Sequence, residues 1–143
     1  MTVEIETPVV TESVRAALAQ IADLLIPASA RMPSASAAGV AGELLETTLR
    51  IRPDLWHRIY PVLVECESKD PSAVLKDVET RDSSTFDAIT EFVAGTYFMN
   101  DRVRDLIGYH GQESTPSLME MSEFADLIAP VVERGDFYRH APD

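Results

Sequence analysis

The stretch STFDAITEFVAGTY, residues 84–97, decides the predicted fold. Its apolar side chains recur at the three- and four-residue spacing of one helical face, at Phe86, Ile89, Val93 and Tyr97. A serine followed three residues later by an acid, Ser84 and Asp87, matches a capping box at the start of that helix. We therefore expect a helix here that is fifth in chain order and central in the fold.

Two helices are predicted near the N-terminus. Thr11 can cap the first, whose apolar residues keep helical spacing until Pro27 ends it. A loop rich in Ala, Ser and Pro covers residues 28–36, and a second helical pattern runs from Ala37 to Leu49. The loop therefore separates two helices of one domain.

Prolines mark the next two helices. Pro53 suits the first turn of a third helix. Pro61, farther along the same pattern, lacks an amide proton, so we expect a break near Tyr60. Asp70 followed by Pro71 repeats the cap-then-proline signature and predicts a fourth helix.

The C-terminal third predicts two more helices and a tail. Asn100 can cap a helix that Gly108 ends, and Pro116 opens a last helical pattern. No stretch alternates with the two-residue period of a strand for long enough to predict a sheet. The sequence thus predicts an all-α fold, an irregular bundle of five to seven helices with an extended C-terminal tail. Its predicted parts are an N-terminal arm over 1–10, a helical domain over 11–135 and the tail over 136–143.

The size and charge of the chain limit the functions and partners that it can have. A chain of 143 residues is unlikely to hold both a cofactor domain and a substrate domain. Its 24 acidic residues against 12 Lys and Arg give a net charge of −12, which repels phosphate backbones and anionic lipid. We therefore expect neither nucleic acid nor a membrane as partner. The acidic N-terminus shows no secretory leader, so the predicted location is cytoplasmic; the alternative is a mature form whose leader was removed.

Residues that commonly act in catalysis, metal binding or cofactor binding are few in this sequence and lie far apart in it. Cys66 lies between Glu65 and Glu67, whose negative charge disfavours the thiolate. Asp54 and His57 have the i, i+3 spacing of metal ligands on a helix, but a helical metal site needs further ligands, and no Glu-x-x-His occurs. No Gly-x-Gly-x-x-Gly cradle is present. We therefore predict no catalytic, cofactor-binding or metal-binding residue on this chain.

Two segments indicate a binding surface instead. The segment 21–40 joins an apolar helix end to a loop of small residues, and the segment 97–111 ends in a Gly-Tyr-His-Gly corner. Gly and Ala remove side-chain bulk, so another polypeptide can approach closely. Two aromatic residues in the tail are also expected to be exposed. The predicted partner interface comprises Ile26, Pro27, Tyr97, Phe98, Gly108, Tyr109, Gly111, Phe137 and Tyr138. Arg50, Arg52 and Arg58 form a basic cluster suited to carboxylates of a partner.

These two segments resemble the gluconate 2-dehydrogenase subunit 3 family, the small subunits of heteromeric flavin dehydrogenases. The family's first block looks like Ala-Asp-x-Ile-Ile-Pro, then a loop that ends in Ala-Gly-Val. Here it stands as Ala-Asp-Leu-Leu-Ile-Pro at 22–27 and Ala-Gly-Val at 38–40. The second block looks like Tyr-Tyr, a valine and then Leu-Gly-Tyr-x-Gly. Here Tyr97 and Phe98 precede Val103 and Ile-Gly-Tyr-His-Gly at 107–111.

The resemblance implies a helical, non-catalytic small subunit of a flavin-dependent sugar or alcohol oxidoreductase. Such a subunit binds and stabilises a large subunit of the glucose-methanol-choline type, which carries the FAD, and shapes its substrate entrance. Many members also supply a twin-arginine leader for export. This sequence shows no such leader, so we expect the two-subunit enzyme to be cytoplasmic.

Two other functions stay open. One is a stand-alone small-molecule-binding or regulatory helical domain, with Trp56, Tyr60, Phe92 and Tyr97 lining a pocket. The other is an independent enzyme that uses Cys66 or one of the histidines, His57, His110 and His140. Aromatic residues at helical spacing are more often plain core than a pocket lining, and the cysteine's acidic neighbours argue against its use as a nucleophile.

Overall fold

A computed structural model of the chain describes residues 8–113 and 121–135, and helices are the regular secondary structure of these two ranges. The helices are α1 (Glu12–Leu25), α2 (Leu45–Ile51), α3 (Pro53–Glu65), α4 (Pro71–Arg81), α5 (Ser83–Phe98), α6 (Asp101–Leu106) and α7 (Met121–Arg134). The all-α prediction is confirmed. The chain divides into two compact units, Met1–His110 and Gly111–Asp143. The predicted tail over 136–143 and most of the predicted arm lie outside the described residues.

Helix α5 is the centre of the first unit, as predicted. It packs against α1, α2, α3, α4 and α6. Phe92 on α5 and Trp56 on α3 are fully buried, and their ring centroids lie 5.7 Å apart. The indole Nε1 of Trp56 donates a hydrogen bond of 3.1 Å to the carbonyl oxygen of Pro8, which satisfies the buried polar atom of that ring.

A pair of threonine hydroxyls accompanies this apolar core. Thr96 on α5 is fully buried, and its Oγ1 lies 2.7 Å from the carbonyl oxygen of Phe92, one turn earlier. The same atom lies 3.0 Å from Oγ1 of Thr48 on α2. Burying a hydroxyl is tolerable only when it is hydrogen-bonded. This pair therefore joins α2 to the central helix without an unsatisfied polar atom.

Three predicted caps are present. The side chains of Thr11, Asp70 and Asn100 accept hydrogen bonds from the amides of Val14, Ala73 and Val103 at the starts of α1, α4 and α6. The predicted capping box at Ser84 is wrong, because α5 begins two residues earlier than that box implies and Asp82 is its N-cap. Asp82 accepts from the Thr85 amide at 3.1 Å and from the hydroxyls of Thr85 and Ser84 at 2.7 and 2.8 Å. These bonds lower the pKa of Asp82 to about 2.

The predicted break near Tyr60 is also wrong, because α3 continues through Pro61 to Glu65. Pro61 faces solvent, whereas Ile59, Val62 and Leu63 are buried. The buried face holds the helical turn in place against the lost hydrogen bond and the ring crowding that a proline inside a helix brings.

The second helix is shorter than predicted. It begins at Leu45 and not at Ala37, and residues 35–44 form successive turns. Gly39 has a φ of +87°, a conformation that stops a regular α-helix and that residues with a side chain rarely adopt. The helical spacing of the apolar residues there reflects burial of the turns, since Ala38 and Val40 are both in the core.

We expect Gly95→Ala to raise the free energy of unfolding by about 0.5–1 kcal/mol, because glycine inside a helix loses more backbone entropy on folding than alanine does. Gly95 lies inside α5, and a Cβ built on it meets no atom within 4 Å. Gly108→Ala is the matched control. Gly108 has a φ of +74° and equally open surroundings, so the same change should lower stability by about 1 kcal/mol. Urea unfolding of the full chain measures the free energy of unfolding of both variants. Destabilisation by Gly95→Ala would contradict the backbone-entropy argument.

Candidate functional site

The segment 26–40 is a loop that contributes three residues to the core. Ala35, Ala38 and Val40 are almost completely inaccessible to solvent. A buried loop must pair its backbone polar groups without a helix or a strand. Backbone hydrogen bonds within the loop meet part of this need. For example, the Ala35 amide donates to the Ile26 carbonyl at 3.0 Å, and the Ser29 amide donates to the Met32 carbonyl at 2.9 Å.

Side chains from three helices hold the rest of the loop. On α1, the carboxylate of Asp23 accepts from the amide of Ser36 at 2.7 Å and from its hydroxyl at 2.6 Å. On α5, the hydroxyl of Tyr97 donates to the Pro33 carbonyl at 2.8 Å. The N-cap of α6, Asn100, donates through Nδ2 to the carbonyl of Ala38 at 2.9 Å while its Oδ1 caps the helix. The two segments singled out in the sequence are therefore in direct contact.

An exposed corner follows this contact along the chain. After α6 the chain turns at Gly108, and the Tyr109 amide donates to the Arg104 carbonyl at 2.9 Å. This backward bond closes the helix end in the manner of a C-terminal glycine motif. Four large apolar residues between the end of α5 and this corner are exposed, namely Phe98, Leu106, Ile107 and Tyr109. We call these four residues the apolar corner.

The predicted interface residues have different environments. Tyr97 is only 3% exposed and belongs to the core, so its aromatic ring is not free to meet a partner. Ile26 is half-buried. Exposed surface is found at Pro27, Phe98, Gly108, Tyr109 and Gly111. Phe137 and Tyr138 lie outside the described residues. Leu106 and Ile107 were not predicted, although two adjacent apolar residues before a helix-ending glycine were a usable signal.

The second unit carries an apolar helix face that the sequence analysis also missed. Phe124, Leu127, Ile128 and Val131 on α7 are all exposed, at positions i, i+3, i+4 and i+7. This spacing places them on one side of the helix. Partner helices that enter grooves use the same arrangement of anchors.

One member of the basic cluster, Arg52, is paired with carboxylates of the chain itself. Arg52 holds the carboxylate of Asp54 with two hydrogen bonds, Nε to Oδ1 at 2.9 Å and Nη2 to Oδ2 at 2.7 Å, and its Nη1 bonds to Glu91. The guanidinium lowers the pKa of Asp54 to about 2, and the two carboxylates raise that of Arg52. A partner carboxylate would therefore have to displace one of these two.

The four aromatic residues of the alternative pocket do not share a cavity. Trp56, Phe92 and Tyr97 are core residues, and Tyr60 packs edge-on against Trp56 with ring centroids 5.8 Å apart. Of the four, Phe92 alone also borders a groove, which lies between α2, α3 and α5. Among the described residues, no group of three His, Cys, Asp or Glu side chains is placed to hold a metal ion.

No protein-family model, curated protein or solved structure matches this chain. No helix in the described ranges is long and apolar enough to cross a membrane.

Replacing Tyr97 with phenylalanine should lower the free energy of unfolding by about 1 kcal/mol, because the Pro33 carbonyl loses its donor. Burial raises the pKa of the Tyr97 phenol above its ordinary value of 10.0, so this contribution is complete below that pH and is lost as the pH rises through the raised pKa. Tyr60→Phe is the control, since the described residues provide no partner for that hydroxyl. Hydrogen exchange should show faster exchange of the Ala35 amide in Tyr97→Phe, and equal effects of the two variants would contradict this role.

Cys66 should resist alkylation in the folded chain. It is almost fully buried, and burial together with the charges of Glu65 and Asp70 raises the pKa of its thiol to about 11. At pH 8 about one molecule in a thousand would carry the reactive thiolate. Iodoacetamide at that pH should modify the urea-unfolded chain readily and the native chain very slowly. Fast stoichiometric labelling of the native chain would support the nucleophile hypothesis instead.

Proposed function

We propose that this chain is a non-catalytic small subunit that binds and stabilises a large, FAD-carrying oxidoreductase subunit of the glucose-methanol-choline type. The apolar corner is the observation that carries the proposal. It presents four large apolar side chains to solvent next to a loop that is hydrogen-bonded at several points. Exposed apolar patches on a well-ordered support are typical of protein interfaces.

The resemblance supplies the identity of the partner. Within the fold, the two segments that carry it lie against each other through the Tyr97–Pro33 and Asn100–Ala38 hydrogen bonds. Such contact is what a single binding surface built from both segments requires. The FAD and the acid–base residues would belong to the large subunit, and the complex would oxidise sugars or alcohols in the cytoplasm. This chain would cover part of the substrate entrance.

Tyr109 is the sharpest residue for a test. It is 52% exposed, so its ring is not part of the core. If it anchors the interface, Tyr109→Ala should weaken binding to the flavoprotein by about 2 kcal/mol, as aromatic hot spots do. The melting temperature of the isolated chain should stay unchanged, because few contacts within the chain are lost.

The experiment is co-expression of this chain with a large flavoprotein of the glucose-methanol-choline type from the same genome. Size-exclusion chromatography with absorption at flavin wavelengths shows whether a complex forms, and titration calorimetry gives the affinity of each variant. Val64→Ala is the control, since Val64 is an exposed apolar residue on α3. An affinity that Tyr109→Ala leaves unchanged would remove the corner from the interface. Absence of any complex would refute the subunit function itself.

A further inference from the structure

A groove of about 330 Å³ runs along α5 on the side that faces α2 and α3. This volume is at the lower end of the range for small-molecule sites, roughly 300–1,000 Å³. Its apolar lining comes from Ile51, Leu55, Phe92 and Met99, and two charged residues, Arg52 and Glu91, stand at its edge. Ile51 is 60% exposed, although it is a large aliphatic residue in a helix.

Gly95 opens the groove. It borders the groove inside the central helix, where glycine is destabilising, and a Cβ added there meets no atom within 4 Å. Neither a left-handed backbone nor internal packing explains a glycine at this position. A molecule that lies against the backbone of α5 would explain it.

The charged side chains at the edge of the groove favour a ligand of one charge sign over the other. One guanidinium, that of Arg52, is shared by two carboxylates, so the trio with Asp54 and Glu91 carries a formal charge of −1. Asp54 holds Arg52 with two bonds, whereas Glu91 holds it with one, and the Glu91 side chain is 56% exposed. Glu91 can therefore leave Arg52 for another cation while Arg52 stays paired.

We propose that this groove binds a small molecule with an apolar body and a cationic amino group. The apolar body lies on Ile51, Phe92 and Met99 over Gly95, and the ammonium group pairs with Glu91. An anionic ligand would have to displace Glu91 from Arg52 against the local charge and against the net charge of −12. This site shares no residue with the apolar corner and does not depend on the proposed subunit function.

The test uses the ¹⁵N-labelled full chain and three probes with the same six-carbon body: hexylammonium, hexan-1-ol and hexanoate. Hexylammonium should shift the amide resonances of Ile51, Gly95 and Met99 saturably. It should bind about two- to fivefold more tightly than hexan-1-ol, the gain that one exposed ion pair provides. Hexanoate should bind more weakly than the alcohol.

Three variants make the test specific. Glu91→Gln should reduce the affinity for hexylammonium to that for hexan-1-ol, whereas Glu79→Gln, which removes an exposed charge on α4, should keep the preference. Gly95→Leu should fill the groove and abolish binding of all three probes. A circular dichroism melt checks that the Gly95→Leu variant folds. If that variant does not fold, Gly95→Ala is used in its place, and its smaller side chain should cause a partial loss of affinity.

Several results would overturn the proposal. These are the absence of shifts at the groove with hexylammonium, binding of hexanoate as tight as that of hexylammonium, a preference that survives Glu91→Gln, or binding that survives filling of the groove. The Tyr109→Ala variant should bind hexylammonium like the wild type. Failure at the groove is thereby distinguished from failure at the apolar corner.

Discussion

The need to pair the backbone of a buried loop is the constraint on which the first unit depends. Between α1 and α2 the chain enters the core at Ala35, Ala38 and Val40 in irregular turns, whose own hydrogen bonds pair only part of the backbone there. Asp23, Tyr97 and Asn100 provide the missing partners from three different helices. Each bond therefore has two effects: it avoids an unpaired buried polar group, and it fixes the positions of α1, α5 and α6 relative to the loop.

This constraint changes how the resemblance is understood. Several residues in the two family-like segments are needed by the fold itself. Asp23 and Tyr97 hold the loop, and Gly108 has the positive φ that ends α6. A resemblance at such positions indicates a similar fold more directly than it indicates a similar partner. The side chains of Phe98 and Tyr109 do not hold the loop and are exposed. These two residues are therefore available to contact a partner.

Helix starts were predictable where one side chain decides them. Thr11, Asp70 and Asn100 cap as their chemistry suggests, since an N-cap needs only a short polar side chain at the right position. Predictions failed where tertiary contacts outweigh local preference. Pro61 leaves α3 unbroken because the neighbouring buried residues hold the turn, and helical spacing after Ala37 reflects burial of turns. The groove was not predictable, because it depends on how α2, α3 and α5 meet around Gly95.

The charge of the chain bears on what the apolar corner can bind. Two copies would each bring a net charge of −12, and that repulsion opposes self-association at moderate ionic strength, where screening extends over about 8–10 Å. A neutral or basic partner would meet the same apolar residues without this cost. The hydrophobic effect does not depend on the sign of a partner's charge. Burial of Phe98, Leu106, Ile107 and Tyr109 is therefore equally favourable against a second copy and against a different partner. Electrostatics therefore disfavours a symmetric dimer at this corner.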